Sequence, residues 1–221
     1  MTRYLLPAYL SLFSLLAANA REIGVKFQCT SSLSGGKTTL SSDSTLQLNV
    51  LRFYVQSIQM DFADDSRAID TLPHLIDLSE TDKKTIHLQV TDTSEVVMLT
   101  IAFGIDSTLH AAGALGGDLD PTNGMYWTWQ SGYINYKLEG FLSIEGKQQP
   151  FEFHLGGYRT PWATSFSVTF PCQGDNISLN FDPVLFFQSA STADGLKVMS
   201  PGSRAVELSR IFIDSFQVAN P

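Results

Sequence analysis

Cysteine, histidine and basic residues are scarce in this 221-residue chain. It has two cysteines, four histidines, and 14 Lys and Arg against 22 Asp and Glu. The basic residues form no cluster, which argues against a nucleic-acid partner. Two cysteines far apart could bind metal, but neither has a second cysteine at ligand spacing, which disfavours a thiolate site. No G-x-S-x-G elbow, H-E-x-x-H pair, C-x-x-C-H haem site or phosphate loop occurs, so no nucleophile–base pair or catalytic metal motif is visible and the chain reads as a non-enzyme. Beyond the N-terminus, no apolar run approaches the roughly 20 residues of a membrane span.

The N-terminus itself reads as a signal peptide over residues 1–20. Arg3 supplies the positive region, Tyr4–Leu16 the apolar run, and Ala18-Asn19-Ala20 the small-x-small cleavage pattern. Removal of that segment takes only Arg3 among the charged residues, so the net charge moves from −8 to −9. The remaining 21–221 is expected to be a single exported domain, periplasmic or secreted. In an oxidising compartment an even cysteine count favours a disulfide, here Cys29 to Cys172.

Period-two alternation dominates. Glu22–Cys29 places Ile23, Val25 and Phe27 on one face. Leu46–Met60 reads as one long strand or two, followed by Thr85–Val90, Val96–Ile105, Tyr126–Ile144, Phe151–Leu155, Ser165–Phe170, Ile177–Phe181 and Phe212–Val218. Helical signals are confined to Ile105–Leu115, Asp182–Phe187 and Ala205–Phe212. Short strands with frequent turn signals predict an all-β fold, an antiparallel β-sandwich of Ig-like or cupredoxin-like architecture with long loops and few short helices.

Two of three tryptophans, Trp127 and Trp129, follow the polar loop Asp118-Leu-Asp-Pro-Thr-Asn-Gly124 and would share a strand face. Such a pair reads either as a core anchor or as a built site. The loop's oxygens resemble a calcium loop, but Thr122 and Asn123 break the EF-hand spacing. Of the histidines, His87 alternates with Ile86 and Leu88 and should face solvent. His74, His110 and His154 are the candidates for a site, His154 being followed by Gly156-Gly157, where another backbone could approach closely.

The stretch Gly124-Met-Tyr-Trp-Thr-Trp-Gln-Ser-Gly-Tyr133, closed by Leu138-Glu139-Gly140, resembles the MbnP-like copper-binding proteins. Phe53-Tyr-Val-Gln-Ser-Ile58, His74-Leu-Ile-Asp77, Phe103-Gly-Ile-Asp106, Gly117-Asp-Leu-Asp-Pro121 and Phe151-Glu-Phe-His-Leu-Gly-Gly157 extend the resemblance over nearly all of the mature chain. It implies a copper site of two histidines and a tryptophan oxidised to kynurenine by a partner di-haem enzyme of the MauG/peroxidase type. Carried over, the ligands are His74 and His154, with Trp129 or Trp127 as the modified residue and His110 in reserve. Indole nitrogen is a donor only, whereas the aryl amine left by ring opening has a lone pair for copper. The best-known branch carries four cysteines, so this chain lacks one family disulfide. The implied role is copper acquisition, storage or homeostasis. The alternative is an extracellular binding or adhesion module that stacks exposed aromatics such as Trp162 on glycans or proteins.

Overall fold

The structure, a computed structural model, describes residues 20–33, 36–80, 84–127 and 131–219. The signal segment up to Asn19 and the tryptophan Trp129 lie outside the described residues.

Alternation becomes strand wherever one face can be buried. Strand β1 (Arg21–Cys29) keeps Ile23, Val25 and Phe27 fully buried, and its neighbours in sequence lean outward. Beyond it come β2 (Lys37–Thr39), β3 (Ser44–Phe62), β4 (Arg67–Asp70), β5 (His74–Asp77), β6 (Thr85–Val90) and β7 (Val96–Phe103). The second half supplies β8 (Ile134–Ile144), β9 (Lys147–Gly156), β10 (Phe166–Pro171), β11 (Asn176–Phe181), β12 (Lys197–Val198) and β13 (Phe216–Val218). One sheet has four strands in the order β13-β11-β1-β6. The other has nine, running β10-β7-β3-β8-β9-β12 with β2, β4 and β5 also paired to β3. Two pairs, β1–β11 and β9–β12, are parallel; the remaining pairs are antiparallel.

Strand β3 is the spine. Its first half pairs with β8 and its second half with β7. Register shifts at Leu48/Val50 and Val55/Ser57 mark bulges, the device by which a long strand bends. The main core is an edge-to-face aromatic cluster in which Phe27, Phe53, Phe103 and Phe216 meet at ring separations of 5.2 to 6.5 Å. Each such contact adds about 0.5–1.5 kcal/mol beyond the area it buries.

Three short helices fit their sequences. Helices α1 (Ser107–Ala111) and α2 (Pro183–Ser189) are capped by Asp106 and Asp182, whose carboxylates accept the first free backbone N–H groups. Helix α3 (Ser203–Asp214) buries Ala205, Leu208 and Phe212 at i, i+3 and i+7. Phe212 ends the helical candidate Ala205–Phe212 and begins the strand candidate Phe212–Val218. It belongs to the buried helical stripe, and the strand starts only at Phe216. The stretch before β8 differs as well. Tyr126 and Tyr133 form one isolated bridge, so Trp127 lies in a loop closed by Tyr126↔Tyr133 rather than in a strand.

The expected Cys29–Cys172 disulfide is not formed, and both thiols are free. The register gives the reason. Cys29 sits opposite Phe181 at the end of β11, whereas Cys172 precedes the turn into Asn176, which sits opposite Gly24. The two ends of β11 are roughly 16 Å apart at about 3.3 Å per residue. A disulfide requires Cα atoms within about 7 Å.

Candidate functional site

A second, smaller core forms on the other face of β3. It gathers Tyr54, Leu75, Ile105, Leu119, Met125, Tyr133 and Ile134, with Tyr126 and Trp127 packed on its border. This core holds the tryptophan loop, and polar groups fasten the loop to the sheet. The Arg52 guanidinium donates to the Asn123 carbonyl at 3.2 Å, and the Lys137 ammonium to the Gly124 carbonyl at 3.4 Å. The acidic loop is spent on structure. The Asp118 carboxylate accepts the Leu75 N–H at 2.8 Å, the Asp120 carboxylate caps a 3-10 turn through Thr122, and the Asn123 amide donates to the carbonyls of Gly117 and Asp118. These bonds give each of the three side chains a structural role in holding the loop.

His154 lies in β9, directly opposite Lys137 on β8, which is opposite Arg52 on β3, which is opposite Asp77 on β5. The four side chains therefore form one row across the sheet, on the face that carries the tryptophan loop. Nε2 of His154 is 2.7 Å from Oε1 of Glu139, which is also 3.4 Å from the Lys137 ammonium. Burial works to raise the Glu139 pKa. The His154 hydrogen bond and the Lys137 charge outweigh it, so the carboxyl titrates below its ordinary range. An ionised Glu139 accepts the Nε2 proton and leaves the Nδ1 lone pair of His154 for another partner, the arrangement by which carboxylates orient metal-binding imidazoles.

His74 is three residues before Asp77 in β5. An odd separation on a strand turns a side chain to the opposite face. His74 therefore faces away from His154, and its Nε2 is held by Asp70 at 2.7 Å. The two histidines expected to act together are not brought together. His87 is exposed as expected and pairs with Glu22 at 2.9 Å.

His110, in α1, is buried beside the tryptophan loop. Its Nδ1 accepts the Tyr133 N–H at 3.1 Å, and its ring stacks on Tyr158 at 4.6 Å. Burial pushes its pKa down to about 4, against a weaker opposing pull from the Ile105 carbonyl and Asp106. The ring is thus neutral at pH 7. With Nδ1 accepting, the proton is on Nε2, which makes no well-aligned hydrogen bond among the described residues and lies near the Ile105 carbonyl. That tautomer makes His110 a packing and donor group, with no lone pair left for a metal.

Glycine sets how tightly these pieces fit. A Cβ at Gly132 would lie 2.2 Å from Nδ1 of His110, and one at Gly156 would lie 2.5 Å from the Tyr133 carbonyl and 2.9 Å from the Trp127 ring. The edge of the Trp127 ring therefore packs closely against Gly156, two residues along β9 from His154 and on the same face. Its indole N–H is buried without a hydrogen-bond partner among the described residues. Trp162, the candidate aromatic of the adhesion reading, is 43% exposed. Among the described residues no group of three or more His, Cys, Asp and Glu is placed to hold a metal ion. Sequence reading missed Glu139 and Lys137 as partners of His154, and Tyr158 as the ring beneath His110.

No curated protein matches the sequence. Among solved structures the fold is similar to MbnP from Methylosinus trichosporium, with a TM-score of 0.58 and 15% identity, over 85% of this chain and 87% of that one. At that identity the likeness speaks to the fold alone. The MbnP family model matches residues 18–200, and on that match the chain belongs to the MbnP family.

Proposed function

We propose that this protein is an exported copper-binding protein without catalysis of its own, in which Trp127 is the residue converted to a ligand. One observation carries the reading. The Trp127 indole, whose N–H is buried and unpartnered among the described residues, sets the edge of its six-membered ring against Gly156, on the face where Glu139 holds His154 with its Nδ1 free. An imidazole and an aryl amine are nitrogen donors of the kind that suit copper. His154 is the histidine ligand on this face, and Trp127 becomes the amine ligand after oxidation to kynurenine by a partner di-haem enzyme. Copper bound there would supply no reaction of its own to the chain, which orients the imidazole through Glu139 and shields the ring behind Gly156. His74, on the opposite face, is left out of this site. Role and compartment follow from the same reading: uptake, storage or homeostasis of copper outside the cytoplasm.

Coexpression with a di-haem enzyme of the MauG/peroxidase type, followed by peptide mass spectrometry, tests the reading. Kynurenine is about 4 Da heavier than tryptophan, through net loss of one carbon and gain of one oxygen. The expected result is that mass shift on the Trp127 peptide and copper retention that His154→Ala abolishes. Retention unchanged in both Trp127→Phe and His154→Ala would sink the proposal. The exposed Trp162 sustains a second reading, a glycan-stacking module. Binding to a glycan panel that is lost in Trp162→Ala, with no copper retained, would favour it.

A further inference from the structure

On the reading proposed above, His154 and the amine derived from Trp127 supply two donors. His74 faces away, and the accepting Nδ1 of His110 is taken by the Tyr133 N–H. The neighbours of His154 on β8 add none. Lys137, directly opposite, is a cation, and Glu139 already holds Nε2. The other neighbour of β9 is β12, which runs parallel to it. Lys197 is opposite Glu152 and Val198 opposite Phe153, so the next residue in that register, Met199, falls opposite His154.

Alternation fixes the face as well. Leu196 and Val198 pack on the main core, whereas Lys197 turns outward to the Glu152 carboxylate at 2.6 Å. Met199 therefore turns outward too, to the side that carries Glu152 and His154, and it is 41% exposed. The chain stays beside β9 beyond this point, because a Cβ on Gly157 would lie 3.3 Å from Cβ of Pro201. Neighbouring strands lie about 4.8 Å apart. An unbranched methionine side chain with three rotatable bonds spans such a gap. A single exposed apolar side chain is ordinary, so it is the place beside His154 that sets Met199 apart. The other methionines of the mature chain are elsewhere. Met60 and Met125 are buried, and Met98 lies on β7 between Asp61 and Pro171.

We propose that the Met199 thioether is a further ligand of this site and that the site therefore favours Cu(I). The inference rests on the copper reading of His154 and Trp127. Thioether sulfur is a soft donor that selects Cu(I), while imidazole suits either oxidation state. Unlike a thiol, it has no proton to lose before it binds.

The test uses the mature chain coexpressed with the di-haem enzyme and carrying isotope-labelled methionine methyl groups. It is titrated without oxygen with Cu(I) against a chromophoric chelator, and separately with Cu(II). The Met199 methyl resonance, assigned by its absence in Met199→Leu, should shift on addition of Cu(I), with those of Met60 and Met98 unmoved. Met199→Leu nearly conserves volume at an exposed position, and a thermal melt checks that the fold is intact. It should weaken Cu(I) at least about tenfold, the lower end of what losing a metal-site partner costs, with a smaller effect on Cu(II). An unmoved Met199 methyl overturns the assignment. So does Cu(I) affinity that is unchanged in Met199→Leu but lost in His154→Ala, and that result leaves the copper reading standing. Equal losses of Cu(I) and Cu(II) in Met199→Leu overturn the preference for Cu(I). Copper retention unchanged in both His154→Ala and Trp127→Phe, or none by the parent, overturns the copper reading and this inference with it.

Discussion

Asp77 and Arg52 meet at 2.6 Å across the β5–β3 pairing, with the Asp77 side chain almost sealed from solvent. Asp77 also accepts the Ser79 N–H at 2.9 Å, and Arg52 reaches on to the Asn123 carbonyl at 3.2 Å. One ion pair thus ties the sheet to the tryptophan loop. Arg52→Met is expected to cost about 3–5 kcal/mol, because it strands a buried carboxylate. Urea denaturation measures the loss. A change below about 1 kcal/mol would show that Ser79 and the backbone satisfy Asp77 unaided.

The glycine contacts make a local prediction about Trp127. Gly156→Ala places a methyl group against the Tyr133 carbonyl and the Trp127 ring, at 2.5 and 2.9 Å. A backbone oxygen cannot swing aside, so the loop must lift, at a cost of about 1–3 kcal/mol, typical of overpacking. Trp127 then gains water contact. Its fluorescence should shift to the red relative to the parent, whereas Gly146→Ala, which meets nothing within 4 Å, should leave the emission unchanged. Equal spectra for the two variants would refute the close packing of Trp127 on β9.

Much of this arrangement could be read from the chain, and the rest depended on register. The turn Glu145-Gly146, with both residues at positive φ, fixes Ile144 opposite Lys147. Counting back from that pair puts Lys137 opposite His154 and Glu139 one diagonal away, so the carboxylate that holds His154 was legible in the hairpin. Alternation likewise located β1, β6 and β11 to within a residue or so. The face of His74 was not legible, because it depends on β5 pairing with the middle of a bent β3. Nor was the distance between Cys29 and Cys172, which follows from a parallel pairing that no local pattern announces. Trp127 in a loop instead of a strand has a similar cause: the ladder of β8 begins only at Ile134, and Gly132 is given over to His110.

His110 makes stability depend on pH in a defined direction. Its pKa falls from an ordinary 6.5 to about 4 on folding. The unfolded chain therefore binds the proton more tightly. The sign follows: the stabilisation is complete above pH 6.5, declines as pH falls, and is exhausted below about 4. The span amounts to about 2–3 kcal/mol at about 1.4 kcal/mol per pH unit, somewhat reduced for partial exposure. His110→Gln keeps an acceptor for the Tyr133 N–H and removes the titration. Denaturation at pH 4.5 and 7 should show a smaller difference in stability for the variant than for the parent. Equal differences would mean that the carboxylates alone carry the acid sensitivity.

The free thiols give the last test. Burial raises both Cys29 and Cys172 to about 11, so at pH 8 each is overwhelmingly protonated and a poor nucleophile. Alkylation of the purified chain by iodoacetamide without reductant should be slow in the native state and should reach two adducts per chain in denaturant. Reduction beforehand should change neither count. If the denatured, unreduced protein took no adducts, a disulfide would be present, and β1 and β11 would have to pair in a register displaced by several residues. Such a shift would carry Ile23, Val25 and Phe27 away from Ile177, Leu179 and Phe181, so core packing and cysteine state stand or fall together.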